Sequence, residues 1–369
     1  MKTVYLPSLK GFVIILILVF AFSSNAQIIG FTGFEGFEDE TLFRNQNWYD
    51  EGFSVPWSNG FNQNRAHVDD EFAIYGTNSL RIFYPAGTYG TSNNGAQAPL
   101  RVAPEDELYA SYWLRFSENF DWGGTSEGGK LPGLASSGLC SGCEECTGSN
   151  GFTARLMWRQ DGRGVLYLYH MDKVNNCGDD HTLLISGTDF YFEKGQWYNI
   201  IQRVKINTED NHDGEVEVWI NEEPAILLTG IRFVNNGNKV DHLYFSTFHG
   251  GSNENWAPSV DCYTWFDNVV IAKQAEDVFS FTGLHDHSLN TEVSAYPNPV
   301  SSNSQLNFVF NEATTSTYST EWLTVSGNTV KKSEIQSGNS IAVPNLKPGM
   351  YMLKLTINNE VVYKKVMIN

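Results

Sequence analysis

Between residues 30 and 272 the chain alternates apolar and polar positions in short runs, broken by Gly, Asn, Asp and Pro. In "LYASYWLRF" (108–116), Leu108, Ala110, Tyr112, Leu114 and Phe116 share one face, and Tyr109, Ser111, Trp113 and Arg115 share the other. A period of two is the strand period. "GFTARLMWR" (151–159) repeats it, with Ala154, Leu156 and Trp158 as a candidate core face and Thr153, Arg155, Met157 and Arg159 opposite. "GVLYLYHM" (164–171) aligns Val165, Tyr167, Tyr169 and Met171. The intervening "QDGRG" reads as a turn, so the two runs predict a hairpin in which Tyr167 and Tyr169 stand beside Thr153 and Arg155. No segment carries a sustained helical period. Many short strands with frequent turns predict an all-β molecule, a jelly-roll β-sandwich. "GGKLPGL" (128–134) breaks the pattern: its glycines free the backbone and its proline removes a donor, which predicts a shaped loop rather than a strand.

The two ends read differently. Lys2 and Lys10 precede a short apolar run, Gly11 to Phe22, and Ser24-Asn25-Ala26 has small residues at the right spacing for cleavage. Residues 1–26 therefore read as a signal peptide, the apolar run being short for a membrane span. The mature chain is then an exported protein without a transmembrane span. Residues 27–273 form the predicted jelly roll and 274–290 a polar linker. Residues 291–369 form a second, smaller β-sandwich with turns at Pro297–Pro299, Ser326-Gly327-Asn328 and Lys347-Pro348-Gly349.

Composition agrees with this reading. The 369 residues include 33 glycines and 14% aromatics, and only 18% are charged. The net charge of −18 argues against nucleic acid or an anionic membrane as partner, while leaving room for a local cationic cleft. Three of the five cysteines crowd into "CSGCEEC" as Cys140, Cys143 and Cys146, followed by Cys177 and Cys262. Disulfides are the first reading in an exported chain, and a four-thiolate zinc site the alternative. Connectivity is open, and the odd count leaves at least one cysteine free or intermolecular.

The candidate chemistry lies on the hairpin. Two guanidiniums on a strand face beside two tyrosines, with a lysine framed by glycines nearby, suit β-elimination at a uronic acid. The C5 proton of a uronate is poorly acidic because the adjacent carboxylate resists further negative charge. A cation must neutralise that carboxylate, a base must take the proton, and an acid must protonate the departing O4. Tyrosine can serve as base or acid, and neighbouring cations favour its phenolate. This logic requires no metal and no cofactor. A non-catalytic carbohydrate-binding sandwich is the alternative class. A sandwich glycoside hydrolase would need two carboxylates about 5–10 Å apart, and the strand signature Glu-x-Asp-x-x-Glu of one such family is absent.

At these residues a resemblance appears. "FSENFDWGGTSEGGKLPGL", "FTARLMWRQDGRGVLYLYH", "QWYNIIQRVKIN" and "FSTFHGGSNENWAP" resemble, in order, the blocks of polysaccharide lyase family 14, over roughly residues 95–272. The resemblance implies a jelly roll, alginate or glucuronan lyase activity, and a catalytic set of Lys130, Thr153, Arg155, Tyr167 and Tyr169. Thr153 stands where the family usually has serine. Gln97, Arg203 and His249 are the substrate-binding candidates. In the tail, "YPNP", "KPGMYMLKL" and "YKKVMIN" resemble the sorting domain of the type IX secretion system of Bacteroidota. That implies export across the outer membrane, then release or attachment at the cell surface, with the secretion machinery as a partner and an anionic polysaccharide as substrate.

Overall fold

The structure is a computed structural model. It describes residues 28–74, 76–124 and 128–279, and in the C-terminal part 293–297, 300–310, 317–324, 329–337, 340–347, 349–357 and 360–368. The expected signal peptide lies outside the described residues.

Among the described residues, sixteen strands build the larger unit. The chain runs through β1 (Ile28–Thr32), β2 (Ala66–Asp69), β3 (Ser79–Tyr84), β4 (Ala96–Glu105) and β5 (Glu107–Phe116). There follow β6 (Gly128–Ala135), β7 (Thr153–Arg159), β8 (Gly164–Tyr169) and β9 (Asp179–Thr182), then a two-stranded flap of β10 (Leu184–Ile185) and β11 (Thr188–Asp189). The last are β12 (Trp197–Lys205), β13 (Gly214–Ile220), β14 (Glu223–Ile231), β15 (Val240–His249) and β16 (Cys262–Ala272). One sheet has the order β14-β13-β12-β5-β16-β3-β2, with β1 also on β16, and the other β4-β15-β6-β7-β8-β9. The pairings in both are antiparallel.

The core lies between these sheets, as alternation requires. Leu108, Ala110, Tyr112, Leu114 and Phe116 of β5 are buried against Ala154, Leu156 and Trp158 of β7, together with Leu166 and Leu168 of β8. Each such leucine contributes roughly 1.5–3 kcal/mol of burial. The opposite face of β7 and β8 is thereby turned away from the core.

One expectation fails. Residues 128–134 are no loop: Gly128–Ala135 is strand β6, at the middle of the second sheet. Its glycines serve close approach. A Cβ on Gly129 would sit 2.0 Å from the Trp158 ring, and one on Gly133 2.1 Å from the Ala154 carbonyl. Pro132 is accommodated where the register with β7 shifts between Leu131 and Gly133. The backbone groups beside this bulge find partners across the core instead. Gln202 of β12 accepts from Leu134 N–H at 2.7 Å and donates to the Ala154 carbonyl at 2.7 Å, while the Tyr112 hydroxyl donates to the Pro132 carbonyl at 3.0 Å. Buried main-chain polar groups are almost always paired, and here side chains of the facing sheet do it.

The cysteines resolve into Cys140–Cys146 and Cys143–Cys177, with Cys262 free and buried. The zinc alternative falls because all four of its thiols are consumed. The expected linker opens with a short helix, Ala275–Phe279, and residues 280–290 lie outside the described part. The tail has a three-stranded sheet (Val293–Tyr296, Gln305–Phe310, Ser340–Ala342) and a four-stranded sheet (Thr329–Ser337, Thr317–Thr324, Gly349–Ile357, Glu360–Ile368). Leu306, Phe308, Trp322, Leu353 and Val366 share its core, so the predicted small sandwich is present. Among its predicted turns, Pro299, residues 326–328 and Pro348 lie outside the described residues. Among the described residues, no helix is long and apolar enough to cross a membrane.

Candidate active site

The outer face of the second sheet carries a cleft of about 1080 Å³. The predicted hairpin register is present: Thr153 faces Tyr169, Arg155 faces Tyr167 and Met157 faces Val165. Strand β6 lies on the other side of β7, opposing Lys130 to Met157, and β15 follows with Phe248 opposite Lys130. Four neighbouring strands thus deliver Lys130, Arg155, Tyr167, Tyr169 and Tyr244 to one surface. Gln97 arrives from β4, which pairs with β15 at Ser246. All six line the cleft.

The cleft is cationic in an acidic protein. Lys130, Arg155, Arg159 and Arg163 line it against Asp161 and Asp180. Arg159 is neutralised by a two-pronged pair with Asp180, at 2.8 and 2.7 Å. Lys130 and Arg155 are different. Both are buried, and among the described residues neither has a carboxylate within ion-pairing distance. Lys130 Nζ instead rests 4.5 Å from the centre of the Tyr167 ring and 5.8 Å from that of Trp256. Burial, and then the charges of Arg155 and Arg159, push the Lys130 ammonium well below the usual lysine range, with only Asp180 opposing. The Arg155 guanidinium lies 5.1 Å from the Tyr244 ring and donates to the Ser246 hydroxyl at 3.4 Å. Gln97 Oε1 accepts from Tyr244 at 2.8 Å and from Ser246 at 3.5 Å, which leaves the Gln97 amide group to face a ligand.

The two tyrosine hydroxyls lie 3.3 Å apart, with their rings edge to face. Tyr167 accepts from Gly178 N–H at 3.0 Å, and Tyr169 from Cys143 N–H at 2.9 Å. Burial raises the Tyr167 pKa above its ordinary value, reinforced by the Tyr169 hydroxyl, and outweighs the opposing influence of Gly178 N–H and Arg155. The expectation that neighbouring cations would favour a phenolate is therefore corrected at Tyr167: desolvation wins, and the resting group is a phenol.

Three predicted site residues stand elsewhere. Thr153 is fully buried and donates to the Cys140 carbonyl at 3.0 Å, so it holds the cysteine-rich loop rather than facing the cleft. Arg203 is on β12 of the other sheet, tied to Glu107 at 2.7 Å and Glu215 at 2.8 Å, with Glu217 at 3.6 Å. A guanidinium so neutralised, across the core from the cleft, does not meet a ligand there. His249 is buried behind the sheet, stacked on Phe120 at 5.5 Å and edge-on to Trp158, and burial lowers its pKa to about 4. Strand parity explains this. On β15, Leu243 and Phe245 belong to the core, so His249, an even number of residues on, shares their face, while Tyr244 and Phe248 take the cleft. The same parity would have identified Tyr244 from sequence. Trp256, on a short turn of helix at Glu254–Trp256, offers no such signal.

Comparison with known proteins identifies the family. The sequence profile described as Polysaccharide lyase 14 matches residues 74–269, and that described as Secretion system C-terminal sorting domain matches 294–369. Among solved structures, alginate lyase Aly36B is 24% identical, with a TM-score of 0.56 over 68% of this chain and 97% of its own. The marine PL-14 alginate lyase from Aplysia kurodai is 27% identical, with a TM-score of 0.51 over 61% of this chain and 92% of its own. No curated protein sequence matches the chain. The tail directs the protein through type IX secretion to the cell surface or the extracellular space. With the matched profile spanning more than half of its length, the chain belongs to polysaccharide lyase family 14 and is a polysaccharide lyase.

Proposed function

We propose that the protein cleaves a uronate-containing polysaccharide, alginate in the first instance and glucuronan as the second candidate, by β-elimination in the Lys130 cleft. The observation that carries this reading is a pair of buried basic side chains, Lys130 and Arg155, without carboxylate partners among the described residues and beside two phenol hydroxyls. The alginate lyases similar to this chain favour alginate.

The environments of the titratable groups are pushed apart, which divides the roles. Arg155, with the Gln97 amide beside it, neutralises the uronate carboxylate. Lys130, its proton loosened by burial and two guanidiniums, takes the C5 proton as a neutral amine. The electrons of the C5–H bond form the C4–C5 double bond as the C4–O4 bond breaks. Tyr167, held as a phenol, gives its proton to the departing O4. Thr153, Arg203 and His249 have no direct part. This gives Lys130 the base role that the sequence reading offered to tyrosine.

Incubation with alginate and with glucuronan, followed by ultraviolet absorbance of unsaturated uronate and product mass, tests the reading. Products with a terminal unsaturated uronate are expected from at least one polymer. Saturated products, or no turnover of any uronate polymer, would overturn it.

A further inference from the structure

The loop that carries the cysteines does more than close the chain on itself. Cys143 and Cys177 are joined, and both line the cleft. The N–H that meets the Tyr169 hydroxyl belongs to Cys143, and the N–H that meets the Tyr167 hydroxyl belongs to Gly178, the residue after Cys177. One covalent bond therefore ties together the two backbone donors that hold the two hydroxyls. Neither donor sits in a strand: Cys143 lies in a turn, and Gly178 immediately precedes β9, whose pairing with β8 begins at Asp179. The loop also approaches the rings closely. A Cβ on Gly178 would lie 2.7 Å from Tyr169 Cε2 and 2.9 Å from Tyr167 Cε2. On the strand side, Thr153 donates to the Cys140 carbonyl and Cys140–Cys146 closes the first segment, which anchors the Cys143 end to β7.

The hydrogen-bond inventory gives the arrangement a consequence. Each phenol oxygen offers one proton and two lone pairs. Each already accepts one backbone N–H, and the 3.3 Å contact uses one of the two phenol protons between the rings. One phenol proton is then left over, and the cleft is where it can point.

We infer that the Cys143–Cys177 disulfide, with Gly178, is a positioning clamp that orients the Tyr167 and Tyr169 hydroxyls so that a single phenol proton faces the substrate. This deepens the lyase reading and rests on it for its catalytic meaning. The clamp itself is a statement about the two rings and is testable without substrate.

The test compares wild type with Cys143→Ser/Cys177→Ser, which keeps Cys140–Cys146, and with Gly178→Ala, which keeps both disulfides. Thermal unfolding confirms that each variant is folded. In both variants kcat on the uronate polymer should fall roughly 10- to 100-fold, as misplacement of a reacting group by about an ångström does, with KM close to wild type. In the Tyr167→Phe/Tyr169→Phe background, loss of the disulfide should cost no further activity. Independently of turnover, nitration by tetranitromethane mapped by mass spectrometry should find Tyr167 and Tyr169 protected in wild type and modified in the disulfide variant. If that folded variant keeps wild-type kcat, or keeps both tyrosines protected, the clamp is overturned. If wild-type protein turns over no uronate polymer while the nitration contrast holds, the lyase reading fails and the clamp stands.

Discussion

Lys130 shows how little a residue's identity says without its surroundings. In the sequence it is a charge on a glycine-rich stretch; in the fold it is a buried amine beside two guanidiniums. If its role is to accept a proton, Lys130→Arg is not a conservative change, because a guanidinium keeps the charge but does not deprotonate. Both Lys130→Ala and Lys130→Arg should lower kcat on the order of 10²- to 10⁴-fold. Substantial activity in the arginine variant would mean that charge alone matters. The sign of the pH dependence follows from the same neighbours. A base works when unprotonated, so kcat/KM rises with pH through the Lys130 pKa. Arg159 is one of the cations holding that pKa down. Arg159→Gln should therefore move the acidic limb of the pH profile to higher pH, which a kcat/KM titration would measure. Of the cleft lining, Arg155, Tyr167 and Tyr169 were legible from sequence because strand alternation and hairpin register are local, whereas Lys130 was singled out by its glycine-framed motif in a stretch misread as a loop. Thr153 and Arg203 were misplaced because the choice between cleft, loop anchor and opposite sheet depends on contacts far away in the chain.

Strand β6 is the element on which sequence reasoning went wrong, and the reason is physical. Local rules disfavour a central strand containing three glycines and a proline. The rules hold for a strand considered alone, but Trp158 and the Ala154 backbone need space that only glycine leaves. Pro132 is tolerated because the bulge removes the need for a donor there, and the neighbouring polar groups are satisfied by Tyr112 and Gln202 from the facing sheet. Gln202→Leu would strand the Leu134 N–H and the Ala154 carbonyl in the core. At about 1–3 kcal/mol for each unsatisfied group, the variant should lose on the order of 3 kcal/mol of stability in denaturant titration. A loss below about 0.5 kcal/mol would show that the bulge finds other partners.

At the scale of the molecule, two charge distributions compete. The chain carries −18 overall, yet presents a polyanion with a cleft whose cations outnumber its carboxylates. Contacts inside the cleft act over a few ångströms, whereas repulsion from the acidic surface acts over longer distances and is screened first, the Debye length being about 10 Å at 0.1 M salt. Raising ionic strength from very low values to about 0.1 M should therefore lower KM for a polyuronate with little change in kcat, and steady-state kinetics across a salt series would decide it. A KM that only rises with salt would place the dominant attraction at long range.

What the sequence determined by itself was periodic or local: most of the strands, the hairpin register, the two sandwiches, the sorting tail and the ordered motifs of the lyase family. These follow from alternation over a few residues and from short ordered motifs. Tertiary structure alone decided which sheet each strand joined and therefore which cations stayed unpaired. It placed Arg203 among glutamates, His249 in the core, and Cys143 and Gly178 above two tyrosines. Burial and pairing between residues distant in the chain set charge state and orientation, and no local pattern encodes those. The stretch from Gly128 to Leu134 contains both lessons: its lysine was legible as chemistry, while its strand was visible only once Trp158 and Gln202 were beside it.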